Sequence, residues 1–308
     1  MAELSLRTYL QNIDNMIKGE RYQEAVAHAT HLLETYPKNA AGYRLLGRAL
    51  LRVGRLDEAA ELFRRLLAAM PDDFIAHYQL SLIYEQQSAM TQAVWHLERA
   101  YDQQPNNEQV IRRLQKLYSQ VQGRPVTKIA LTVGAAAQQF MVTGRLEEAV
   151  ALLEQSLQRK SERIDWRIRY AEALWDVGLE IDAAENAMEV LRQNPYVVTA
   201  NEIMTMLWLQ EDRPSDAQRY LSRVNDVDPY LALELVTDGA VSDERVQIEE
   251  LNFNQYAGRT LTEENPDWLE NLGEGDLDLD AIEATVDDTA GSGTAPTTEE
   301  PRKKVTDE

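Results

Sequence analysis

Residues 40–71 read AAGYRLLGRALLRVGRLDEAAELFRRLLAAMP, and the reading of this stretch decides the fold. Tyr43, Leu46 and Leu50 recur at helical spacing on one side of the turn Val53-Gly54-Arg55-Leu56, and Ala59, Phe63 and Leu66 do so on the other. Each half is therefore one amphipathic helix of roughly 12 to 16 residues. Pro71 closes the second half, because proline cannot continue a helix. The stretch predicts a helical hairpin.

The hairpin recurs. Pro37, Pro71 and Pro105 are spaced 34 residues apart, as are Pro195 and Pro229, and one step back from Pro195 falls on Ser161. Counted from these six marks, position 20 of the 34-residue unit is Ala25, Ala59, Ala93, Ala149, Ala183 and Ala217. Position 11 is Met16, Leu50, Tyr84, Phe140, Leu174 and Trp208, and position 24 is Ala29, Phe63, Leu97, Leu153, Ala187 and Leu221. A small residue at position 20 lets the second helix approach the first, and larger residues fill the space beside it. One pair cannot bury its own apolar face, so the units must stack.

In Tyr43, Leu46, Gly47, Leu50, Gly54, Ala59, Phe63, Leu66 and Pro71 the chain resembles the tetratricopeptide repeat family almost position for position. His77, Leu80, Ser81, Tyr84, Ala93, Leu97, Ala100 and Pro105 follow the same motif, and the resemblance covers roughly residues 6 to 229. It implies an all-α, right-handed superhelical solenoid of antiparallel helix pairs whose concave groove, lined by the first helix of each pair, binds peptides or partner proteins. The motif carries no catalytic residue.

The repeats are interrupted once, between Pro105 and Ser161. An extra helix is predicted over residues 108–121, with Ile111, Leu114 and Tyr118 in first-helix places, and Gly123-Arg124-Pro125 then breaks the chain. The solenoid divides into a first block, residues 1–122, and a second, residues 123–236. The join is expected to flex or to change the direction of the superhelix. The run from Tyr230 to Val236 begins another helix that stops at Gly239, as a capping element should.

The resemblance also implies which positions line the grooves. In the first block these are Arg44, Arg48 and Arg52, then Tyr78, Leu82 and Gln86, then Arg112 and Lys116. Two basic rails flank an aromatic and polar one, which suits an acidic peptide because guanidinium forks bind carboxylates bidentately. A terminal-carboxylate clamp is not expected, because Leu82 stands near the middle and the asparagine that such a clamp needs is missing. In the second block the positions include Gln138, Met141, Ile168, Glu172, Trp175, Asp176, Glu202, Met206 and Leu209, an apolar and acidic set that suits an apolar or basic partner helix. Trp175 and Met206 can equally pack between neighbouring repeats.

The formal charge of −21 sits mostly at one end: residues 237–308 hold 20 acidic and 5 basic residues. So polar a segment buries too little apolar surface to offset its chain entropy and is expected to be a mostly disordered acidic tail. Within it, residues 265–273, NPDWLENLG, carry helix-start and helix-stop signals. Trp268, Leu269 and Leu272 would lie close to one face of a short helix that folds only against a partner or the chain's own first groove. Asp276, Asp278, Asp280 and Asp287 imitate a calcium loop, but Ala281 stands where glycine is needed and Asp287 replaces the bidentate glutamate. His28 with His31, and His77 with His96, come without a third ligand.

The acidic balance argues against nucleic acid, which requires clustered positive charge. The chain has no cysteine, which excludes thiolate chemistry and suits a reducing compartment. No window approaches the ~18 apolar residues of a membrane span, and a cytoplasmic protein is expected. Neither a phosphate loop nor a catalytic constellation is present, and no cofactor or metal is expected. The sequence therefore predicts a non-catalytic protein-interaction module, acting as adaptor, scaffold or co-chaperone. The alternative is a regulatory subunit whose groove is occupied by its own acidic tail.

Overall fold

In the computed structural model, residues 3–237 and 240–255 are described. Fourteen α-helices form among them, and the first six are α1 (Leu6–Lys18), α2 (Tyr22–Thr35), α3 (Ala40–Arg52), α4 (Leu56–Ala69), α5 (Phe74–Gln86) and α6 (Met90–Gln103). These make three antiparallel pairs. The extra helix α7 (Glu108–Gln122) follows, then α8 (Val133–Val142), α9 (Leu146–Leu157), α10 (Ile164–Val177), α11 (Glu180–Gln193), α12 (Val198–Gln210) and α13 (Pro214–Val227) as three more pairs, and the short α14 (Pro229–Glu234). The architecture is the all-α solenoid of helix pairs that the 34-residue period predicts.

The pairing depends on size at the helix crossings. All six position-20 alanines are buried, between 0% and 1% exposed. In the second pair the approach is closer still: a Cβ on Gly47 would lie 2.7 Å from Cζ of Phe63, so only hydrogen fits beneath that ring. The turns obey a second rule. Position 15 of every unit adopts positive φ: Gly54, Gly144 and Gly178, but also Glu20, Ser88 and Asp212. The amide of the next residue then donates back to the position-11 carbonyl, as Arg55 does to Leu50 and Arg213 to Trp208. A third device joins consecutive units. In four of the units the position-4 side chain reaches the carbonyl six residues before it: Tyr43 to Pro37, His77 to Pro71, Arg167 to Ser161 and Asn201 to Pro195.

Several first helices are capped by the residue at the preceding turn. Asn39, Asp73, Asn107 and Thr132 each accept from a backbone amide of the first turn, a contact of about 1 kcal/mol at such positions. Asp73 has a second use, because its other oxygen takes the guanidinium of Arg44, at 2.8 Å from Nε.

The chain reverses after α7. Gly123 ends that helix at φ 64°, residues 124–132 cross without regular structure, and α8 starts with Gly134 pressed on the Asp102 side chain of α6. Both α7 and α8 pack on α6. From there the second block runs back along the first. Arg163 meets Asp102, Arg169 meets Asp72, Asn194 donates to the Ala68 carbonyl, Lys38 meets Asp226, and Arg7 meets Glu234 and Asp243. As the second partner advances from 163 to 243, the first retreats from 102 to 7. The superhelix thus changes direction at the join.

The end of the packed chain differs from the expected boundary at 236. Residues 240–255 return to the first repeat, where β2 (Gln247–Glu249) pairs antiparallel with β1 (Glu3–Ser5). Ile248 is 2% exposed, Leu6 N donates to the Val246 carbonyl at 2.9 Å, and Tyr36 and His31 donate to the carbonyls of Gln247 and Glu249. The sequence signal is two apolar residues at alternate positions, Val246 and Ile248, inside an acidic stretch. The remaining tail, including Trp268, Leu269, Leu272 and the aspartates that imitate a calcium loop, lies outside the described residues.

Candidate functional site

The first helices of the second block present their i, i+3, i+4 and i+7 residues to one concave side. Those residues enclose a cavity of about 490 Å³. From α8 come Gln138, Met141 and Val142; from α10, Arg169, Glu172, Trp175 and Asp176; from α12, Thr199, Glu202, Ile203 and Met206. The reversal of the chain adds two residues of the first block, Asp72 before α5 and Gln103 at the end of α6.

Of the residues expected in this groove, Gln138, Glu172, Asp176, Glu202 and Met206 line the cavity, together with Met141 and Trp175. Ile168 does not: it is 2% exposed and packs in the core between repeats with Ala171, Leu174 and Ile203. Trp175 and Met206 do both, since each also rests against that core. Asp72, Gln103 and Arg169 were not legible, because they face the cavity only through contacts between the blocks.

The electrostatics are unbalanced. Four carboxylates, Asp72, Glu172, Asp176 and Glu202, face one guanidinium, Arg169. Arg169 is almost wholly buried and is held to the first block, donating to Gln103 Oε1 at 2.5 Å and to Asp72 at 3.4 Å. Burial, reinforced by Asp72, pushes the Glu172 carboxyl up to about 7, against the pull of Arg169. Burial likewise raises Asp72, and burial with Asp228 raises Glu202. The apolar walls are Trp175, Ile203, Met206, Met141 and Val142, the last 75% exposed at the mouth. Such a surface can take an apolar segment and prefers one that brings positive charge.

Behind the cavity, at the join, charged side chains neutralise one another. Asp165 is half-buried, and Arg163, donating to it at 2.6 and 2.8 Å, holds it well below the usual carboxylate range despite the desolvation. Arg163 also faces Asp102, which accepts from Thr132, while Glu98 takes Tyr118 at 2.6 Å and Arg99 at 3.4 Å.

The first-block rail is differently disposed. Arg44 is bound by Asp73 and Arg48 by Asp14 at 2.8 Å. Arg112 pairs with Glu108, and Lys116 shares Glu85 with Arg113. Tyr78 stacks on Phe74 at 5.9 Å, Leu82 is half-buried, and Gln86 and Arg52 are exposed. Helical spacing placed the arginines on one face but carried no information about the acids that neighbouring helices bring to them. Among the described residues, no group of three His, Asp or Glu is arranged to hold a metal ion, and no helix is long and apolar enough to cross a membrane. His28 instead meets the Tyr9 hydroxyl at 2.8 Å.

Residues 17–74 and 45–108 match the family profile described as tetratricopeptide repeat. The peptidyl-prolyl cis-trans isomerase FKBP42 of Arabidopsis thaliana is 32% identical over 77 residues, 25% of this chain and 21% of that protein. The chain thus matches about a fifth of the length of that curated relative. Similar solved structures include YrrB, a TPR protein with an unusual peptide-binding site, at 17% identity over 67% of this chain and 96% of that one, TM-score 0.29. A tetratricopeptide repeat protein from Parabacteroides merdae is 13% identical over 75% of this chain and 97% of its own, TM-score 0.37. The TPR domain of P58(IPK) is 14% identical over 74% of this chain and 63% of its own, TM-score 0.33.

Proposed function

We propose, from the premise that the chain is a tetratricopeptide repeat protein, that it works as an adaptor, scaffold or co-chaperone and receives its partner in the concave cavity of the second block. The observation that carries this reading is the cavity itself: about 490 Å³, walled by Trp175, Ile203 and Met206 and rimmed by unbalanced carboxylates. The partner is a protein or peptide segment with apolar residues at helical spacing and positive charge. An acidic peptide on the arginine rail of the first block would have to displace Asp73 from Arg44 and Asp14 from Arg48, leaving Arg52 as the exposed cation of that rail.

The test is capture of partners from native lysate by the whole chain and by variants that crowd the mouth without touching the core, Gln138→Arg and Asp176→Arg. Both are expected to lose the captured protein while Arg52→Glu retains it. Retention by the mouth variants with loss in Arg52→Glu would place the partner on the first block.

A second reading is favoured by one observation: the chain after the solenoid already returns to the first repeat through β2. In it, the acidic segment carrying Trp268, Leu269 and Leu272 occupies the first groove until a partner displaces it. The like charge of the second cavity directs that segment away from there. Truncation at residue 255 is expected to leave partner capture unchanged under the first reading and to increase it under the second.

A further inference from the structure

Resting on the docking reading above, we infer that the second-block cavity recognises its partner by one inserted lysine or arginine side chain, whose charge meets Glu172 and whose methylene stem lies against Trp175 and Met206. Three observations point there. The only guanidinium among the described lining residues, Arg169, is already held by Asp72 and Gln103 on the first-block side of the cavity. Glu172 closes no ion pair and accepts no hydrogen bond among the described residues, although it sits between Asp72, Asp176 and Glu202. A half-buried carboxylate without a donor is destabilised, and an arriving cation relieves it. The walls beside it are an indole and a thioether, surfaces along which a lysine or arginine stem packs while its charged end reaches a carboxylate.

The charged groups facing Glu172 are Asp72 from the turn before α5, Arg169 and Asp176 from α10, and Glu202 from α12. Burial above all, with the three carboxylates adding to it and Arg169 opposing it, pushes the carboxyl up to about 7. Binding a cation therefore expels a proton near neutrality, and affinity for it falls as the pH drops below 7.

The experiment uses the full chain and two synthetic probes, an amphipathic peptide with leucines at helical spacing and one central lysine, and a twin with norleucine in that place. Titration calorimetry at pH 7, in buffers of different ionisation enthalpy, reads affinity and proton release together. The lysine probe is expected to bind about tenfold tighter or more than its twin and to release a fraction of a proton. Glu172→Gln, which keeps the shape, is expected to abolish both the preference and the release. Equal binding of the two probes without proton release overturns this inference and leaves the docking reading standing. Binding of neither probe at millimolar concentration overturns the docking reading and this inference with it.

Discussion

Arg169 on α10 donates to the carboxylate of Asp72, 97 residues earlier in the chain, at 3.4 Å. This contact belongs to no repeat: it joins the turn between α4 and α5 to the second block and closes one wall of the cavity. Arg169→Met, which keeps the stem and removes the charge, is expected to cost about 2 kcal/mol, because Asp72 and its acidic neighbours lose their counter-charge. Asp72→Asn added to it is expected to recover part of that loss. A double-mutant cycle from urea unfolding checks this, and strict additivity would mean that the pair is not coupled.

The buried rings of His77 and His96 meet at 2.9 Å between their Nδ1 atoms, and His77 Nε2 lies 2.9 Å from the Pro71 carbonyl. A carbonyl only accepts, so His77 carries its proton on Nε2, and the proton between the rings belongs to His96 Nδ1. Burial lowers His77 to about 4 and His96 well below its ordinary value. Below about pH 6.5 the unfolded chain binds protons that the folded chain refuses, so stability is full above 6.5 and falls by up to about 1.4 kcal/mol per pH unit for each ring. Glu172, raised to about 7, contributes in the opposite sense between about 4.5 and 7. Unfolding midpoints from pH 7.5 to 5 are expected to drop in the wild type and to flatten in His77→Asn, whose amide can make the bond that Asn201 makes to Pro195.

Ser88 holds φ 62° at a turn where Gly54, Gly144 and Gly178 hold comparable angles. An L-residue in the left-handed region costs about 1 to 2 kcal/mol, against about 0.5 to 1 for the extra chain entropy of glycine. Ser88→Gly is therefore expected to stabilise the protein by about 0.5 kcal/mol. Gly54→Ala, whose added Cβ would meet nothing within 4 Å, tests the backbone alone and is expected to cost about 1 kcal/mol. Thermal melts of both variants decide it.

Gly47→Ala probes the helix crossing. The new methyl would fall 2.7 Å from Phe63, and overpacking of that kind costs about 1 to 3 kcal/mol. Adding Phe63→Leu, which removes the ring, is expected to return part of the loss. A Gly47→Ala protein with an unchanged melting temperature would show that α3 and α4 do not touch there.

The helix pairs were legible because a 34-residue period forces one small residue per crossing, and Ala25 to Ala217 mark all six. The extra helix, which breaks that period, was legible through the helical spacing of Ile111, Leu114 and Tyr118. The left-handed turns at Glu20, Ser88 and Asp212 were not, because no glycine announces them. The reversal of the chain was not either. Its contacts come from Lys38, Asp72, Asn194 and Arg169, single residues at turns or off the groove positions, which no periodicity selects. Much the same holds for the candidate site. The family resemblance pointed to residues of α8, α10 and α12, while the counter-charge and the first-block wall arrived with the reversal.

The cavity has its two-block wall only if the second block runs back along the first, and the Lys38–Asp226 pair, 3.0 Å apart, tests that most directly. A zero-length carbodiimide cross-link on dilute protein, located by peptide mass spectrometry, should join Lys38 to Asp226. The Lys18–Asp14 and Lys116–Glu85 pairs, at 2.5 and 2.9 Å within the first block, serve as controls in the same sample. Cross-links at both controls with none between Lys38 and Asp226 would contradict the account.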